Sequence, residues 1–395
     1  MSKRVIAMST AVVMATAWAI ATQTSADAVT NPLPLSPSGK VAIVEANIEE
    51  LFNDTDINDN WDMKHLSYRV QNILNTMKAS DPYIYAPDIV LLSETTKESS
   101  ESLATQLTAY TGYTYIPVAN AATSNQTLHN AMESESTTQA DVQRETAILV
   151  NTSTMDLVTT STSPASSPLT MPSSEVYGGT LDAAWVTLRQ STALVQERSS
   201  GALFRVYSAH FRPESVVWPH EERTAEWARF LKTRSDDADM LPAGAKIIIG
   251  GDFNRRPCTV SYYRTDGDDN VNDNGVSCST SGSTASGYWT RFTGSQTDTP
   301  YTLTPALDAS SSRVGVDNVF ANMTLLTGTD DYDYKTYYND DSHPTYFKTS
   351  TDLTKCQTEF YDKGLSSSAG ADAIAGCYER YYSDHEFVYA AYSTT

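Results

Sequence analysis

The chain has 395 residues, with 48 Asp and Glu against 27 Lys and Arg, for a formal net charge of −21. With 40% hydrophobic and 10% aromatic residues it can bury a core, which excludes wholesale disorder, a collagen-like chain and a polytopic membrane protein. Its acidity excludes a broad basic face for nucleic acid, so any phosphate chemistry must be local.

Taken in chain order, the first element is a basic start, Met1-Ser2-Lys3-Arg4, followed by an apolar run from Val5 to Ile20. That pattern reads as a signal peptide, with small residues at Ala26 and Ala28 placing cleavage after Ala28. An uncleaved anchor fits less well, because no comparable apolar stretch follows and no cluster of charge stops the segment. Residues 29–395 then form one domain with long loop insertions, expected to be secreted and monomeric, with no stable membrane insertion.

Short apolar, β-branched segments predict strands at 41–46, 88–92, 146–150, 184–188, 203–209, 245–250, 315–321 and 386–392. Helical spacing predicts helices over 64–77, where Leu66, Val70, Ile73, Leu74 and Met77 share a face, and over 219–233, with Trp227, Phe230 and Leu231. Several strands follow one another with no helix between them, which favours two mixed sheets packed face to face over a doubly wound parallel sheet. The expected fold is a layered α/β sandwich. Long polar connectors at 119–143, 159–180, 259–300 and 327–375 read as insertions on that core.

Four cysteines, Cys258, Cys278, Cys356 and Cys377, suit two disulfides in an exported chain. Three pairings are open; the sequence-local one, Cys258 with Cys278 and Cys356 with Cys377, closes two surface loops. A zinc site would need the close Cys-x-x-Cys spacing that is absent here. The stretch from Asp54 to Asp59 fails as a calcium loop, with Asp59 where Gly is needed and His65 where a bidentate Glu belongs. Asp266-Gly267-Asp268-Asp269-Asn270 is the better candidate for a structural Ca²⁺, its alternative being a polar turn.

Chemistry-bearing side chains gather at the ends of predicted strands. Asn47 closes the first strand and Glu94 the second; Glu145 opens the third and His210 closes the fifth. Asp252 and Asn254 follow the Ile247-Ile248-Ile249 run, Asp317 lies in another strand, and Asp384-His385 precedes the last. One such residue would be a cap or turn. This many, on apolar strands, point to one edge where they meet.

Gly250-Gly251-Asp252-Phe253-Asn254, Ser383-Asp384-His385, Ser93-Glu94 after a buried strand and Ser208-Ala209-His210 together resemble the endonuclease/exonuclease/phosphatase superfamily, which includes deoxyribonuclease I. The likeness spans roughly residues 41 to 392, leaving the long loops unmatched. It implies a four-layered α/β/β/α sandwich, two packed mixed sheets flanked by helices, and a divalent-metal-dependent phosphoester hydrolase. By this resemblance Glu94 is a metal-binding carboxylate, with Asn47 and Asp384 completing the shell around Mg²⁺ or Mn²⁺. Asp252 and Asn254 resemble the pair that positions or deprotonates the attacking water. His385 resembles the terminal imidazole, partnered by Asp317, and a neighbouring carboxylate favours its protonated form. His210 resembles the second histidine of the deoxyribonuclease I branch, for which Glu145 is the matching partner unless it is only a strand-edge charge. His65, His129, His220 and His343 fit no motif and read as surface or helix residues.

Arg212, Arg255 and Arg256 adjoin these motifs and are expected to clamp phosphate oxygens, which lets an acidic protein hold a polyanion at one spot. The superfamily core serves several phosphoesters. The His210 and Glu145 pairing, export and two disulfides favour a nuclease acting on DNA, or RNA. A sphingomyelinase-type or inositol-phosphate enzyme is the alternative, with Tyr288, Trp289 and Phe292, or Tyr332, Tyr334, Tyr337 and Tyr338, as an interfacial projection. A binding module that has lost its chemistry would be expected to have lost one of these motifs, and all are present.

Overall fold

The computed structural model describes residues 32–48, 74, 75, 77–95, 97–120, 145–158, 190–211, 228, 242, 244–254, 257–260, 283–285, 287–294, 302–309, 317–330 and 387–395. The signal segment, the 184–188 strand and the Asp266–Asn270 stretch lie outside the described residues. So do the predicted helices, apart from Leu74, Asn75 and Met77 in the first and Ala228 in the second.

Fourteen strands and two helices are described. The strands buried along nearly their whole length are β1 (Lys40–Asn47), β2 (Ile89–Thr95), β6 (Gln190–Glu197), β7 (Leu203–His210), β8 (Lys246–Asp252), β12 (Asp317–Ala321) and β14 (Val388–Ser393). With them run β3 (Tyr115–Asn120), β4 (Glu145–Asn151), β5 (Met155–Leu157), β9 (Cys258–Val260), β10 (Ser283–Ala285), β11 (Thr304–Pro305) and β13 (Thr324–Asp330). The helices are α1 (Lys97–Thr111) and α2 (Gly287–Thr293).

One six-stranded sheet runs β13-β14-β1-β2-β4-β3 and the other β11-β12-β8-β7-β6-β5, while β9 and β10 form a separate ribbon. Every pairing within the six-stranded sheets is antiparallel except two, β1 with β2 and β7 with β8. These parallel pairs hold the third and fourth places of their sheets.

Side-chain alternation along the strands divides the core into three layers. Val44, Leu92 and Leu149 on the outer face of the first sheet pack under Leu103 and Leu107 of α1. Ile43, Leu91 and Ile148 on its inner face meet Val195, Val206, Ile248 and Val319 of the second sheet. Ile247, Ile249 and Phe320 on the far face of the second sheet lie under Tyr288, Trp289 and Phe292 of α2. Three apolar layers between four layers of structure make an α/β/β/α sandwich, the deoxyribonuclease I-like arrangement. No helix among the described residues is long and apolar enough to cross a membrane.

Some elements depart from the sequence expectation. Strand β13 reaches into the 327–375 connector, and β10 and α2 lie within the 259–300 connector. Strand β13 is an edge strand whose side chains are mostly half-buried, so it lacks the apolar run that marks an interior strand. Helix α1 is rich in Ser and Thr, and presents only a narrow apolar stripe to the sheet.

Asp88, just ahead of β2, is fully buried. Burial raises its pKa from the ordinary 3.8 to about 6, held back in part by the Ala42 N–H, which donates to Oδ2 at 2.7 Å. A raised carboxyl pKa contributes stability that is present below pH 3.8 and lost as pH rises through about 6. Asp88→Asn should therefore gain on the wild type by up to about 3 kcal/mol between pH 4 and pH 7, read from urea midpoints. A pH-independent difference would contradict this account.

Candidate active site

The two parallel pairs end at the same edge of the sandwich, and four of the predicted residues sit there. On β1, β7 and β8, plain alternation turns Asn47, His210 and Asp252 toward the opposite sheet, in phase with Ile43, Val206 and Ile248. Glu94 is out of phase, because Leu91 and Ser93 already face inward. The pairing of β2 with β4 shifts register between Ser93 and Thr95, so Glu94 is the extra residue of a β-bulge. Its φ of 52° is rare for a residue with a side chain. The bulge turns Glu94 inward beside Ser93, and no feature of the sequence marks it.

All four side chains are buried. His210 Nε2 lies 3.5 Å from Glu94 Oε1 and 3.6 Å from Asp252 Oδ2. Asn47 Nδ2 donates to Asp252 Oδ2 at 3.1 Å and to Glu94 Oε1 at 3.4 Å. Asn254, at φ 50°, closes a turn in which its N–H donates to Asp252 Oδ1 at 2.6 Å. Its Nδ2 donates to the Phe211 carbonyl at 2.6 Å and to Asp252 Oδ2 at 3.1 Å. Ligand atoms of Glu94, His210 and Asp252 all lie within 4.8 Å of one another. Two carboxylates backed by an amide and an imidazole form the oxygen-rich donor set that suits a hard divalent cation.

Asp317 opens β12 as the Cα partner of Asp252 and is also buried. Glu145 opens β4 opposite Thr95, and Cys258 opens β9; their side chains fall outside the described residues. Asp384, His385, Arg212, Arg255, Arg256, Cys278, Cys356 and Cys377 lie outside them as well. Thr146, which opens the predicted 146–150 strand, and Ser191 are two buried hydroxyl residues of the inter-sheet layer that belong to no motif. The available signal was Ser or Thr at inward positions of otherwise apolar strands.

A two-sheet sandwich with a carboxylate, amide and imidazole cluster at one edge defines the class: a phosphoester hydrolase of the deoxyribonuclease I-like fold. The model of the endonuclease/exonuclease/phosphatase family matches residues 61–324, and the chain belongs to that family. No curated protein matches it in sequence. Among solved structures it is similar to a D. rerio TDP2 humanized by 14 mutations, at 12% identity over 90% of this chain and 99% of that one, TM-score 0.41. It is also similar to the human Nocturnin catalytic domain with bound sulfate, at 13% identity over 75% and 87%, TM-score 0.41. An endonuclease/exonuclease/phosphatase from Bacteroides vulgatus is similar at 11% identity over 89% and 98%, TM-score 0.43.

Gly251 is where β8 comes closest to β7 at this edge. At φ 148° it lies against β7 so closely that a Cβ would stand 1.7 Å from the Ala209 carbonyl oxygen. Since backbone cannot step aside as a side chain can, Gly251→Ala should cost more than about 3 kcal/mol in urea unfolding. A near-neutral result would mean that β7 and β8 are not held as described.

Proposed function

We propose that this protein is an exported, divalent-metal-dependent phosphodiesterase that hydrolyses nucleic acid, DNA foremost, at the cluster of Asn47, Glu94, His210, Asp252 and Asn254. The observation that carries this reading is the convergence of Glu94, His210 and Asp252 ligand atoms within 4.8 Å from two different sheets. Export rests on the sequence of residues 1–28. Preference for a polynucleotide rests on the motif pattern around His210 and on three arginines, Arg212, Arg255 and Arg256, that follow site residues closely in the sequence of an otherwise acidic chain.

Glu94, with Asn47 and, by the sequence pattern, Asp384, would hold Mg²⁺ or Mn²⁺. The bound ion would neutralise a phosphate oxygen and the charge that develops as the ester bond breaks. Asp252 supplies the base. Donor groups of Asn47 and Asn254, with His210 close by, surround its Oδ2, fixing the carboxylate so that it can align a water for in-line attack and take its proton. His210 Nε2, 3.6 Å from that oxygen, stands where it can hold the proton while the leaving oxygen departs. Asn254 tethers Asp252 to the end of β7 through the Phe211 carbonyl, and by the sequence pattern its amide would donate to a phosphate oxygen in exchange for one of its present bonds. By the same sequence pattern His385 and Asp317 assist the leaving side, Glu145 backs His210, and Arg212, Arg255 and Arg256 grip the flanking backbone.

Purified protein should nick plasmid DNA with Mg²⁺ or Mn²⁺ and stop in EDTA. Glu94→Gln, His210→Ala and Asp252→Ala should each lower the rate at least about 100-fold, with folding monitored by circular dichroism. Unaltered rates in these variants would place the chemistry elsewhere. Intact DNA with metal-dependent cleavage of bis-p-nitrophenyl phosphate would keep the centre and overturn the choice of substrate.

A further inference from the structure

The layer between the two sheets is apolar until it nears the cluster, where hydroxyls replace hydrocarbon. Ser93 and Thr146 are Cα partners on β2 and β4, and Ser191 and Ser208 are partners on β6 and β7; all four are fully buried. They bond across the gap in both directions. Ser93 Oγ accepts from the Asp252 N–H at 3.3 Å and donates to the Ala209 carbonyl at 3.4 Å. Ser208 Oγ donates to the Leu92 carbonyl at 2.9 Å. Ser191 Oγ donates to the Thr146 carbonyl at 2.8 Å and lies 2.9 Å from Thr146 Oγ1.

Stacked sheets normally stand about 10 Å apart, beyond the reach of a serine hydroxyl to the opposite backbone. Small residues thin this end of the sandwich. Gly250 has Leu91 of the other sheet 2.4 Å from where its Cβ would be, and Ser93 and Ser208 continue the narrow seam. Ser93 differs from the other hydroxyls in what it joins. It immediately precedes Glu94, and it grips β7 one residue before His210 and β8 at Asp252 itself.

We propose that Ser93, with Ser208 as its reciprocal strap, is a positioning residue that sets the spacing between the ligand on the first sheet and those on the second. The proposal rests on the reading of the cluster as a metal centre. A hard dication tolerates little spread among its oxygen ligands, and partners that hold ligands in place govern affinity by about 10- to 100-fold. Without the Ser93 hydroxyl, the bulged end of β2 keeps its own hydrogen bonds to β1 and β4 but loses its side-chain grip on β7 and β8. The Thr146 and Ser191 pair provides an internal comparison, with the same chemistry in the same layer on strands that carry none of the five clustered side chains.

The test is Mn²⁺ binding, read from the free-ion electron paramagnetic resonance signal, with urea midpoints measured in parallel. Ser93→Ala should weaken Mn²⁺ about tenfold and Ser208→Ala should weaken it in the same direction, while Ser191→Ala lowers the urea midpoint yet binds within about twofold of wild type. Full affinity in Ser93→Ala, or an equal loss in Ser191→Ala, would overturn the proposal by making the hydroxyls merely structural. Should Ser93→Ala fail to fold, Ser208→Ala tests the strap from the other sheet, and full affinity there overturns it. Glu94→Gln separates the two readings: if it binds as tightly as wild type, or if wild type binds no Mn²⁺, the metal centre falls and this proposal falls with it.

Discussion

The structure depends on the placement of its two parallel strand pairs. Parallel strands end side by side, whereas antiparallel neighbours end at opposite edges, so only a parallel pair delivers two adjacent carboxyl ends to one place. Each sheet contains one such pair, in the same two central positions, and the sheets face each other. Four strand ends therefore meet at one edge, bringing Asn47, Glu94, His210 and Asp252 together. The outer strands and helices bury the faces of these pairs and hold them in register.

The second constraint is electrostatic. Two buried carboxylates a few ångströms apart would repel and be poorly solvated unless donors converge on them. Among the described residues, the side-chain amides of Asn47 and Asn254 and the Asn254 N–H donate to them, with the His210 imidazole nearby. Short, uncharged donors fit where a lysine or arginine would fill the space a phosphate needs. A chain of net charge −21 can thus set two buried carboxylates side by side against neutral donors.

Much of this was legible in the sequence, for a definite reason. Interior strands such as β1, β2 and β8 read as apolar runs because both their faces are covered, and a polar residue closing such a run is conspicuous, so Asn47, Glu94, His210 and Asp252 could be picked out. Edge strand β13 and helix α1 were not legible, since half-buried or Ser- and Thr-rich segments resemble polar connectors. The inward turn of Glu94 was not legible either: a bulge at φ 52° without glycine leaves no trace in composition or periodicity. The hydroxyls of Thr146 and Ser191 escaped notice because their meaning lies in the opposite sheet, which no local pattern reports.

The division of the cluster between two sheets also bears on how the chain folds. Asn47 and Asp252 share a hydrogen bond across 205 positions of sequence, and Ser93 meets Asp252 across 159. Loops of that length close late and slowly, because their entropy is lost before the contacts that offset it exist. Each sheet can gather its own strands first, yet neither alone contains a complete cluster. During refolding, catalytic competence should therefore trail the recovery of secondary structure, and activity would serve as the clock for sheet docking.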